Sequence, residues 1–293
     1  MRVLIVADRL SLRGGADHYL CQLYGALKTR GVELRLLVGR VDGELNESGE
    51  WGELPEVRIL RGLSRPTASA ARLSGLEAAC DWSDRVVVQN VMNPVALTRL
   101  RGHTGVVFLI QDHRHFCPGM GKSLPQGERC EQPMSLELCK LCLPDAGYRQ
   151  RTLDLTRARA AAVAGAPLVV LSQYMSDELA EVGLPGAQII PPGLTVDPSD
   201  WGPRRGYLLG GRLVRHKAPL LAVEAWKRSG TIEPLWIAGA GPLETDIREA
   251  ANDGGGQIEM LGWLSAPELK RRLGRVRALL FPGHWQEPFG ILG

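Results

Sequence analysis

Three observations predict an α/β protein built from parallel sheets. Short runs of apolar residues recur along the chain, as expected for strands that are buried on both faces of a sheet. Segments with helical periodicity lie between those runs, which is the pattern of strand–helix–strand units. A stretch rich in Pro and Gly, residues 191–206, interrupts the pattern. Since the chain has 293 residues, this stretch predicts a linker between two domains.

The first domain is predicted to contain seven strands, and its first helix follows the first strand. Leu20, Leu23, Tyr24 and Leu27 fall at helical spacing, and Gly31 is a helix stop. The predicted strands are RVLIVA, ELRLLV, EVRIL, DRVVVQN, GVVFLI, APLVVLS and QIIPP.

The second domain repeats the pattern with four predicted strands. They are YLLGG, PLWIAG, QIEMLG and RALLFPG. Helices are predicted to begin at about Lys217, at Pro242 and at Pro267, and Pro288 is in position to begin another.

Composition and charge narrow the classes of function. Lys and Arg exceed Asp and Glu by 35 − 32 = 3, which favours neither a nucleic acid nor a membrane as partner. Aromatic and basic residues do not alternate as they do in proteins that bind single strands. The apolar run at the N-terminus is shorter than that of a signal peptide, and no uncharged stretch approaches the roughly 20 apolar residues of a membrane span. We therefore expect a cytoplasmic protein.

Glycines and cations lie at three predicted junctions between a strand and a helix. Ligands bind α/β sheets at the carboxyl ends of strands, where such junctions lie. Two glycine pairs, Gly14–Gly15 and Gly239–Gly241, would let the backbone approach an anionic ligand, or they are simply tight turns. Arg212 and Lys217 would face a phosphate over the sheet edge, or they are solvated cations.

A fourth motif is EPFG, which follows the last predicted strand. Glu287 precedes Pro288, and Gly290 lies in the first turn of the predicted helix. The carboxylate would accept hydrogen bonds from sugar hydroxyls while the amides at the helix start hold phosphate. The alternative is a glutamate that caps the helix.

Together these motifs resemble the retaining nucleotide-sugar glycosyltransferases of family 4. The resemblance extends over essentially the whole chain and rests on the Gly-Gly loop, VVLSQYMSDELAEVGLPGAQIIPPG, GRLVRHK, IAGAGPLE, LGWLS and EPFGILG. It implies the GT-B fold, in which two Rossmann-like, doubly wound domains face a cleft. Residues 1–195 would form the acceptor-side domain and residues 196–293 the nucleotide-sugar-binding domain. The family's final helices would lie beyond Gly293, so the second domain is expected to be incomplete.

The resemblance also implies roles for particular residues. Arg212 and Lys217 would hold the diphosphate of a UDP- or GDP-linked sugar, and Glu287 would contact the sugar. The remaining donor-binding positions are Gly14, Gly15, Gly239, Gly241, Gly262, Trp263, Leu264, Pro288, Phe289 and Gly290. The acceptor would be a glycan, a lipid-linked sugar or a small molecule, as in polysaccharide biosynthesis. No nucleic acid is expected, and peripheral contact with a membrane is allowed.

The chain departs from the family pattern at several positions. Gln111 stands where many members have a histidine, and Ala218 stands where a glycine is usual. Asp112 and His113 are candidates for activating the acceptor, and the alternative is that they only order the loop. The family's second glutamate would lie beyond Gly293. Gln111 and the missing second glutamate leave open the alternative of a non-catalytic binding module of the same fold. A nicotinamide-dependent oxidoreductase is disfavoured, because the G-x-G-x-x-G fingerprint is missing.

Four cysteines lie in a long irregular insert at about residues 112–147. Their pattern is C-x12-C-x8-C-x2-C, from Cys117, Cys130, Cys139 and Cys142. In a reducing compartment clustered thiols more often bind metal than pair as disulfides, so we expect a structural zinc site. An iron–sulfur cluster, an oxidised pair or reduced thiols are the alternatives. A subset of family 4 has similar cysteines.

Overall fold

The computed structural model describes residues 1–11, 14–42, 56–119, 121–193, 201–252 and 257–290, and the chain forms two compact units. Unit 1 comprises Met1–Lys122, Glu131–Pro192 and Glu287–Phe289. Unit 2 comprises Ser123–Cys130, Gly193–Gln286 and the chain from Gly290. The predicted domain boundary between residues 195 and 196 lies outside the described residues.

Unit 1 is built on one parallel sheet of seven strands in the order β3-β2-β1-β4-β5-β6-β7. The strand order reverses at β1 and β4, which makes the sheet doubly wound. Its strands are β1 Arg2–Ala7, β2 Glu33–Val38, β3 Val57–Ile59, β4 Arg85–Gln89, β5 Val106–Ile110, β6 Leu168–Val170 and β7 Gln188–Ile189. Its helices are α1 Gly15–Thr29, α2 Leu76–Asp81, α3 Pro94–Arg101, α4 Ala146–Val163 and α5 Gln173–Glu181.

The central strands of unit 1 are apolar because both faces of the sheet are covered. Val6 packs into a core shared with Phe108, and the neighbouring Ile5 packs into a second core with Tyr24 of α1. Successive side chains of a strand point to opposite faces, so one strand feeds both cores. Three helices of this unit, α3, α4 and α5, begin at polar caps; at the start of α3 the Asn93 side chain accepts from Val95 N at 3.0 Å.

Unit 2 repeats this design on a smaller parallel sheet with the order β10-β9-β8-β11. Its strands are β8 Tyr207–Gly210, β9 Leu235–Ala238, β10 Ile258–Gly262 and β11 Ala278–Leu280. Its helices are α6 Pro219–Ser229, α7 Glu244–Asn252 and α8 Ala266–Leu273. Leu235 and Ile237 of β9 are fully buried beneath α6 residues such as Val223, which supplies the main core of this unit.

Every predicted strand segment contains a strand, and the predicted α/β class is confirmed. Among the predicted helix starts, the one at Lys217 moves to Pro219 because residues 215–217 form a separate 3-10 turn. The helix predicted at Pro288 is not formed within the part of this segment that the structure describes, which ends in bends up to Gly290. Across the described ranges, no helix combines the length and the apolar character that crossing a membrane requires.

Candidate functional site

Two cations follow β8 at the carboxyl edge of the sheet in unit 2. Arg212 comes two residues after the strand, and Lys217 ends the 3-10 turn that leads into α6. The ammonium of Lys217 lies 4.7 Å from the centre of the Trp285 ring and 5.9 Å from that of Phe281. Aromatic faces attract cations, so these rings help to hold the lysine in place.

The charge of Lys217 is disfavoured where it lies. Burial and, after it, the neighbouring Arg212 guanidinium lower the pKa of Lys217 to about 8. Burial lowers the pKa of His216 as well, and the charges of Arg212 and Lys217 lower it further. An anion placed between Arg212 and Lys217 would relieve this repulsion, which is the electrostatic property of a phosphate site.

Gly239 and Gly241 let two loops of unit 2 pack backbone against backbone. A Cβ on Gly239, whose φ is +151°, would lie 1.8 Å from the carbonyl oxygen of Gly211. A Cβ on Gly241 would lie 2.4 Å from the oxygen of Leu213. Leu213 N also donates to the Ala240 oxygen at 2.9 Å. The two glycines therefore fix the loop that carries Arg212, and their contacts are those of closely packed turns.

The end of β10 places an aromatic side chain at the same edge. Gly262 has φ +68°, a left-handed conformation that favours glycine, and its oxygen accepts from Gly239 N at 2.7 Å. Trp263 follows with 49% of its surface exposed, and Leu264 is half-buried. An exposed indole beside a cationic edge offers a face on which a base can stack.

The histidine and tryptophan beside Lys217 were not singled out from the sequence. The rings of His216 and Trp285 lie 5.0 Å apart, and His216 Nε2 is buried without a hydrogen-bond partner among the described residues. Part of the cysteine insert, Ser123–Cys130, packs beside them within unit 2, since the Ser123 hydroxyl donates to the oxygen of His284 at 3.0 Å. The available signal in the sequence was that His216 directly precedes Lys217.

The carboxyl edge of unit 1 begins at the glycine pair. Gly14 precedes the first residue of α1 with an extended φ of −158°, and no side chain caps the helix. A Cβ on Gly14 would make only ordinary contact, 3.4 Å from Asp17 Oδ2. That carboxylate is occupied by Arg9 Nη2 at 3.2 Å and the Ser11 hydroxyl at 2.9 Å. Because Gly14 has no side chain, the first N–H groups of α1 donate no hydrogen bond to an N-cap side chain.

A network of charges follows β1 and β5 at this edge. Arg114 Nε lies 3.1 Å from Asp112 Oδ2, and Arg114 Nη1 lies 3.6 Å from Asp8 Oδ2. Burial opposes ionisation of Asp112, but the charge and backbone N–H of Arg114 lower the Asp112 pKa overall. For Asp8 burial dominates and raises the pKa to about 6. Asp8 was missed from the sequence because a carboxylate one residue after a strand has no motif of its own.

The other polar residues of this edge are buried. His113 packs edge-on against Phe116, with ring centres 5.4 Å apart, and Asp112 accepts from Arg114 N at 2.9 Å. Both contacts are of the kind that order a loop, and a role in acceptor activation stays a prediction. Gln111 is 5% exposed, and neither its amide nitrogen nor its amide oxygen has a partner among the described residues. Burial lowers the pKa of His115 to about 4, so this ring is neutral at pH 7.

The EPFG motif belongs to unit 1 through residues Glu287–Phe289. Pro288 is buried, and its carbonyl oxygen accepts a hydrogen bond from the Ser172 hydroxyl, the cap of α5. Glu287 is half-buried, Phe289 is exposed, and Gly290 has φ +80°. The predicted helix-start amides are not formed here, because bends replace the helix.

The structure does not support the predicted zinc site. Cys117, Cys139 and Cys142 belong to unit 1, whereas Cys130 belongs to unit 2. Lys122 N donates to Cys117 Sγ at 3.4 Å, and a Cβ on Gly119 would lie 3.2 Å from Cys142 Cβ. Nowhere in the described ranges do three or more His, Cys, Asp or Glu side chains form a group able to hold a metal ion. The spacing looked like a metal site because the sequence does not reveal that the insert divides between two units.

The other two cysteines are packing residues, as predicted. Cys80 is buried in the main core of unit 1, where burial raises the pKa of its thiol to about 11. Cys21 is half-buried in α1 and packs against the second core.

Comparison with known proteins identifies the fold. No protein-family profile and no curated protein matches the chain. Among solved structures, Anabaena HepE in complex with UDP-glucose is 14% identical, with a TM-score of 0.64 over 98% of this chain and 76% of HepE. Sucrose-phosphate synthase from Thermosynechococcus elongatus is 14% identical, with a TM-score of 0.63 over 99% of this chain and 77% of the synthase. S. aureus TarM, in complex with fondaparinux, α-GlcNAc-glycerol and UDP, is 10% identical, with a TM-score of 0.63 over 99% and 82%.

At these identities the likeness establishes the fold, which is GT-B with two Rossmann-like units. The similar structures are glycosyltransferases, and several were solved with UDP or UDP-glucose.

Proposed function

We propose that this protein is a retaining glycosyltransferase of family 4 that transfers a hexose from a nucleotide-diphosphate sugar to a glycan or lipid-linked acceptor in the cytoplasm. The observation that carries the proposal is the pair of cations, Arg212 and Lys217, at the carboxyl edge of β8. Burial and Arg212 hold the Lys217 pKa at about 8 within a fold shared with glycosyltransferases.

The donor would bind unit 2 through its diphosphate. The Arg212 guanidinium can donate to two phosphate oxygens at once, and Lys217 adds a point charge. As the bond from the anomeric carbon to the diphosphate breaks, negative charge grows on the leaving oxygen. Preorganised cations stabilise that charge without a rearrangement at the moment of reaction. The tight packing of Gly239 against Gly211 supports this role, because it fixes the loop that precedes Lys217.

The base and the sugar would be recognised by other parts of the chain. Trp263, with its exposed indole at the end of β10, would stack on a uracil or guanine base. Glu287 would accept hydrogen bonds from hydroxyls of the hexose. The choice between UDP and GDP depends on how the edges of the base are contacted.

Unit 1 would supply the groups that meet the acceptor. Asp8 accepts hydrogen bonds, and the Gln111 amide can donate and accept, which suits sugar hydroxyls. In a retaining transfer the acceptor oxygen attacks the face from which the diphosphate leaves. Its bond to the anomeric carbon forms as the old bond breaks, and its proton passes to the departing phosphate.

Calorimetric titration with UDP and with GDP tests the donor site. Lys217→Ala should weaken nucleotide-diphosphate binding by about 1.5–3 kcal/mol, the range for charge-assisted hydrogen bonds. Lys227→Ala is the matched control, because Lys227 is a lysine of unit 2 in the last turn of α6. Equal affinities for the wild type and Lys217→Ala would remove Lys217 from the site.

Turnover separates an enzyme from the second candidate, a non-catalytic module that binds nucleotide sugars. Gln111 favours that candidate, since an amide cannot act as a base. UDP release from mixed nucleotide sugars should be detectable, and Glu287→Gln should lower turnover while it spares nucleotide binding. Binding without any release would support the module instead.

A further inference from the structure

One part of the cysteine insert belongs to unit 2, although the chain on either side of it belongs to unit 1. This part is Ser123–Cys130, and we call it the insert turn. An antiparallel bridge joins Ser123 to Arg129, and Gly127 N donates to the oxygen of Leu124 at 2.9 Å. The insert turn is therefore a local structure that its own backbone holds together.

The insert turn packs against the loop that follows β11. Ser123 is 3% exposed, and its hydroxyl donates to the oxygen of His284 at 3.0 Å. A Cβ on Gly127, whose φ is +96°, would lie 3.1 Å from Cγ of the His284 ring. The insert turn thus contacts both the backbone and the ring of His284, and it leaves no room for a side chain at position 127.

The same loop also lies against Lys217. His284 N donates to the oxygen of His216 at 3.0 Å, and a Cβ on Gly283 would lie 3.8 Å from Lys217 Cα. Trp285 comes next in the chain, and the centre of its ring lies 4.7 Å from the Lys217 ammonium. The residue that the insert turn holds is therefore bonded to the neighbour of Lys217 and precedes the ring that contacts the ammonium.

We propose that the insert turn positions Lys217 for the diphosphate of the donor by fixing the loop that carries Trp285. A lysine side chain loses much conformational freedom when it is ordered, and a ring held in place restricts it before the ligand arrives. Ser123 acts in this way through His284 and does not itself touch the nucleotide. The inference rests on the proposed donor site and adds to it a positioning residue from the insert, far away in the sequence.

Calorimetric titration with UDP tests the proposal. Ser123→Ala removes the donor to His284 and should bind UDP about threefold to tenfold more weakly, the range that one hydrogen bond contributes. Ser123→Thr keeps a hydroxyl and should restore an affinity within about twofold of the wild type. Gly127→Ala leaves Ser123 intact but places a methyl group against the His284 ring, so it should weaken UDP binding as well.

A matched control separates this effect from the loss of any hydroxyl in unit 2. The Ser229 hydroxyl donates to the oxygen of Trp226 at 2.6 Å, at the end of α6. Ser229→Ala therefore removes the same kind of hydrogen bond away from the loop after β11, and it should bind UDP like the wild type. An equal loss of affinity in Ser229→Ala and Ser123→Ala would overturn the proposal.

The Lys217→Ala background shows whether Ser123 acts through Lys217. There, Ser123→Ala should change the affinity for UDP by less than about twofold, because the group that it positions is gone. A loss as large as in the wild-type background would overturn the inference, since the insert turn would then stabilise unit 2 without positioning the lysine.

Two other outcomes distinguish this inference from the proposed function. If Ser123→Ala binds UDP like the wild type while Lys217→Ala binds weakly, the inference is wrong and the donor site stands. If Lys217→Ala itself binds UDP like the wild type, the donor site is wrong and the inference is overturned with it.

Discussion

The carboxyl edges of the two sheets differ in how their charged side chains are paired. In unit 1, Arg114 lies between Asp8 and Asp112, and Arg9 is paired with Asp17, so charges of opposite sign lie together. In unit 2, Arg212 forms no ion pair with another described residue, and burial together with Arg212 disfavours the charge of Lys217.

This difference indicates what each edge is suited to bind. An anion between Arg212 and Lys217 would relieve the repulsion between these cations, which is consistent with the diphosphate site that we propose at the edge of unit 2. The edge of unit 1 has little net charge to offer, but it holds groups such as the Gln111 amide that can donate and accept hydrogen bonds. Groups of that kind suit neutral hydroxyls, which donate and accept as well.

The largest expected effect comes from a paired charge of unit 1. Lys122 Nζ lies 3.0 Å from Glu178 Oε2, and only 6% and 10% of the two side chains are exposed. Lys122→Met should reduce the free energy of unfolding by about 3–5 kcal/mol, because the change leaves a buried carboxylate without its cation. Denaturation in guanidinium chloride measures the change.

A double variant provides the control for this pair. Lys122 has φ +57°, and Met in the same position retains that backbone strain. Both variants also lose the hydrogen bond that Lys122 Nζ donates to the Gln132 oxygen at 3.2 Å, so the difference between them reports the uncompensated charge. Lys122→Met combined with Glu178→Met should recover most of the lost stability, since it removes the uncompensated charge. If the double variant is as unstable as the single one, Lys122 stabilises unit 1 by packing and not by its charge.

The fold was predictable from the sequence because its signals are local. A run such as RVLIVA reports burial on both faces of a sheet, and β1 occupies the same residues. The junctions that carry Gly14 and Arg212 were predictable for the same reason, since the segment between a parallel strand and the helix that follows it lies at the carboxyl edge. The helix expected at Pro288 is not formed in residues 288–290, and the rest of it lies outside the described residues; proline permits a helix start without requiring one.

The rest of the site depends on contacts between residues far apart in the chain. The pairing of Lys122 with Glu178 and the contact between the rings of His216 and Trp285 leave no pattern in the sequence. The cysteine spacing predicted a metal site, but it carries no information on which unit each cysteine joins. Cys130 lies in unit 2 with Ser123, and that division was decided by tertiary packing.

The next expected effect depends on pH and concerns Asp8 at the carboxyl edge of unit 1. Burial raises the pKa of Asp8 from its ordinary value of 3.8 to about 6, so ionisation opposes folding. Protonated Asp8 does not oppose folding, so the stability of the folded state that depends on protonated Asp8 is fully present below pH 3.8. It is lost as the pH rises through 6. Asp8→Asn should therefore increase the free energy of unfolding by about 3 kcal/mol at pH 7.5 and by about half as much at pH 5.

Denaturation curves at the two pH values measure the effect of Asp8→Asn. Asp81→Asn is the control, since it removes the same charge from an exposed position at the end of α2. A gain that does not change with pH would show that the pKa of Asp8 is not raised. It would also remove the contrast between Asp8, whose pKa burial raises, and Asp112, whose pKa Arg114 lowers.

The smallest expected effect concerns backbone strain in unit 2. Ala218 directly follows Lys217 and has φ +48° and ψ +48°, a left-handed conformation that costs a non-glycine residue about 1–2 kcal/mol. Ala218→Gly removes that strain but adds chain entropy to the unfolded state, so we expect a net gain of about 0.5–1 kcal/mol in the free energy of unfolding. Calorimetry with UDP and GDP gives the informative comparison. Affinity within about twofold of the wild type would mean that the aromatic contacts of Lys217, and not the strain beside it, hold the ammonium in place. A clear loss of affinity alongside the gain in stability would mean that the strained turn positions the cation. The edge of unit 2 would then keep the geometry proposed for phosphate binding at the expense of stability. The edge of unit 1 loses stability in a different way, through the burial of Asp8.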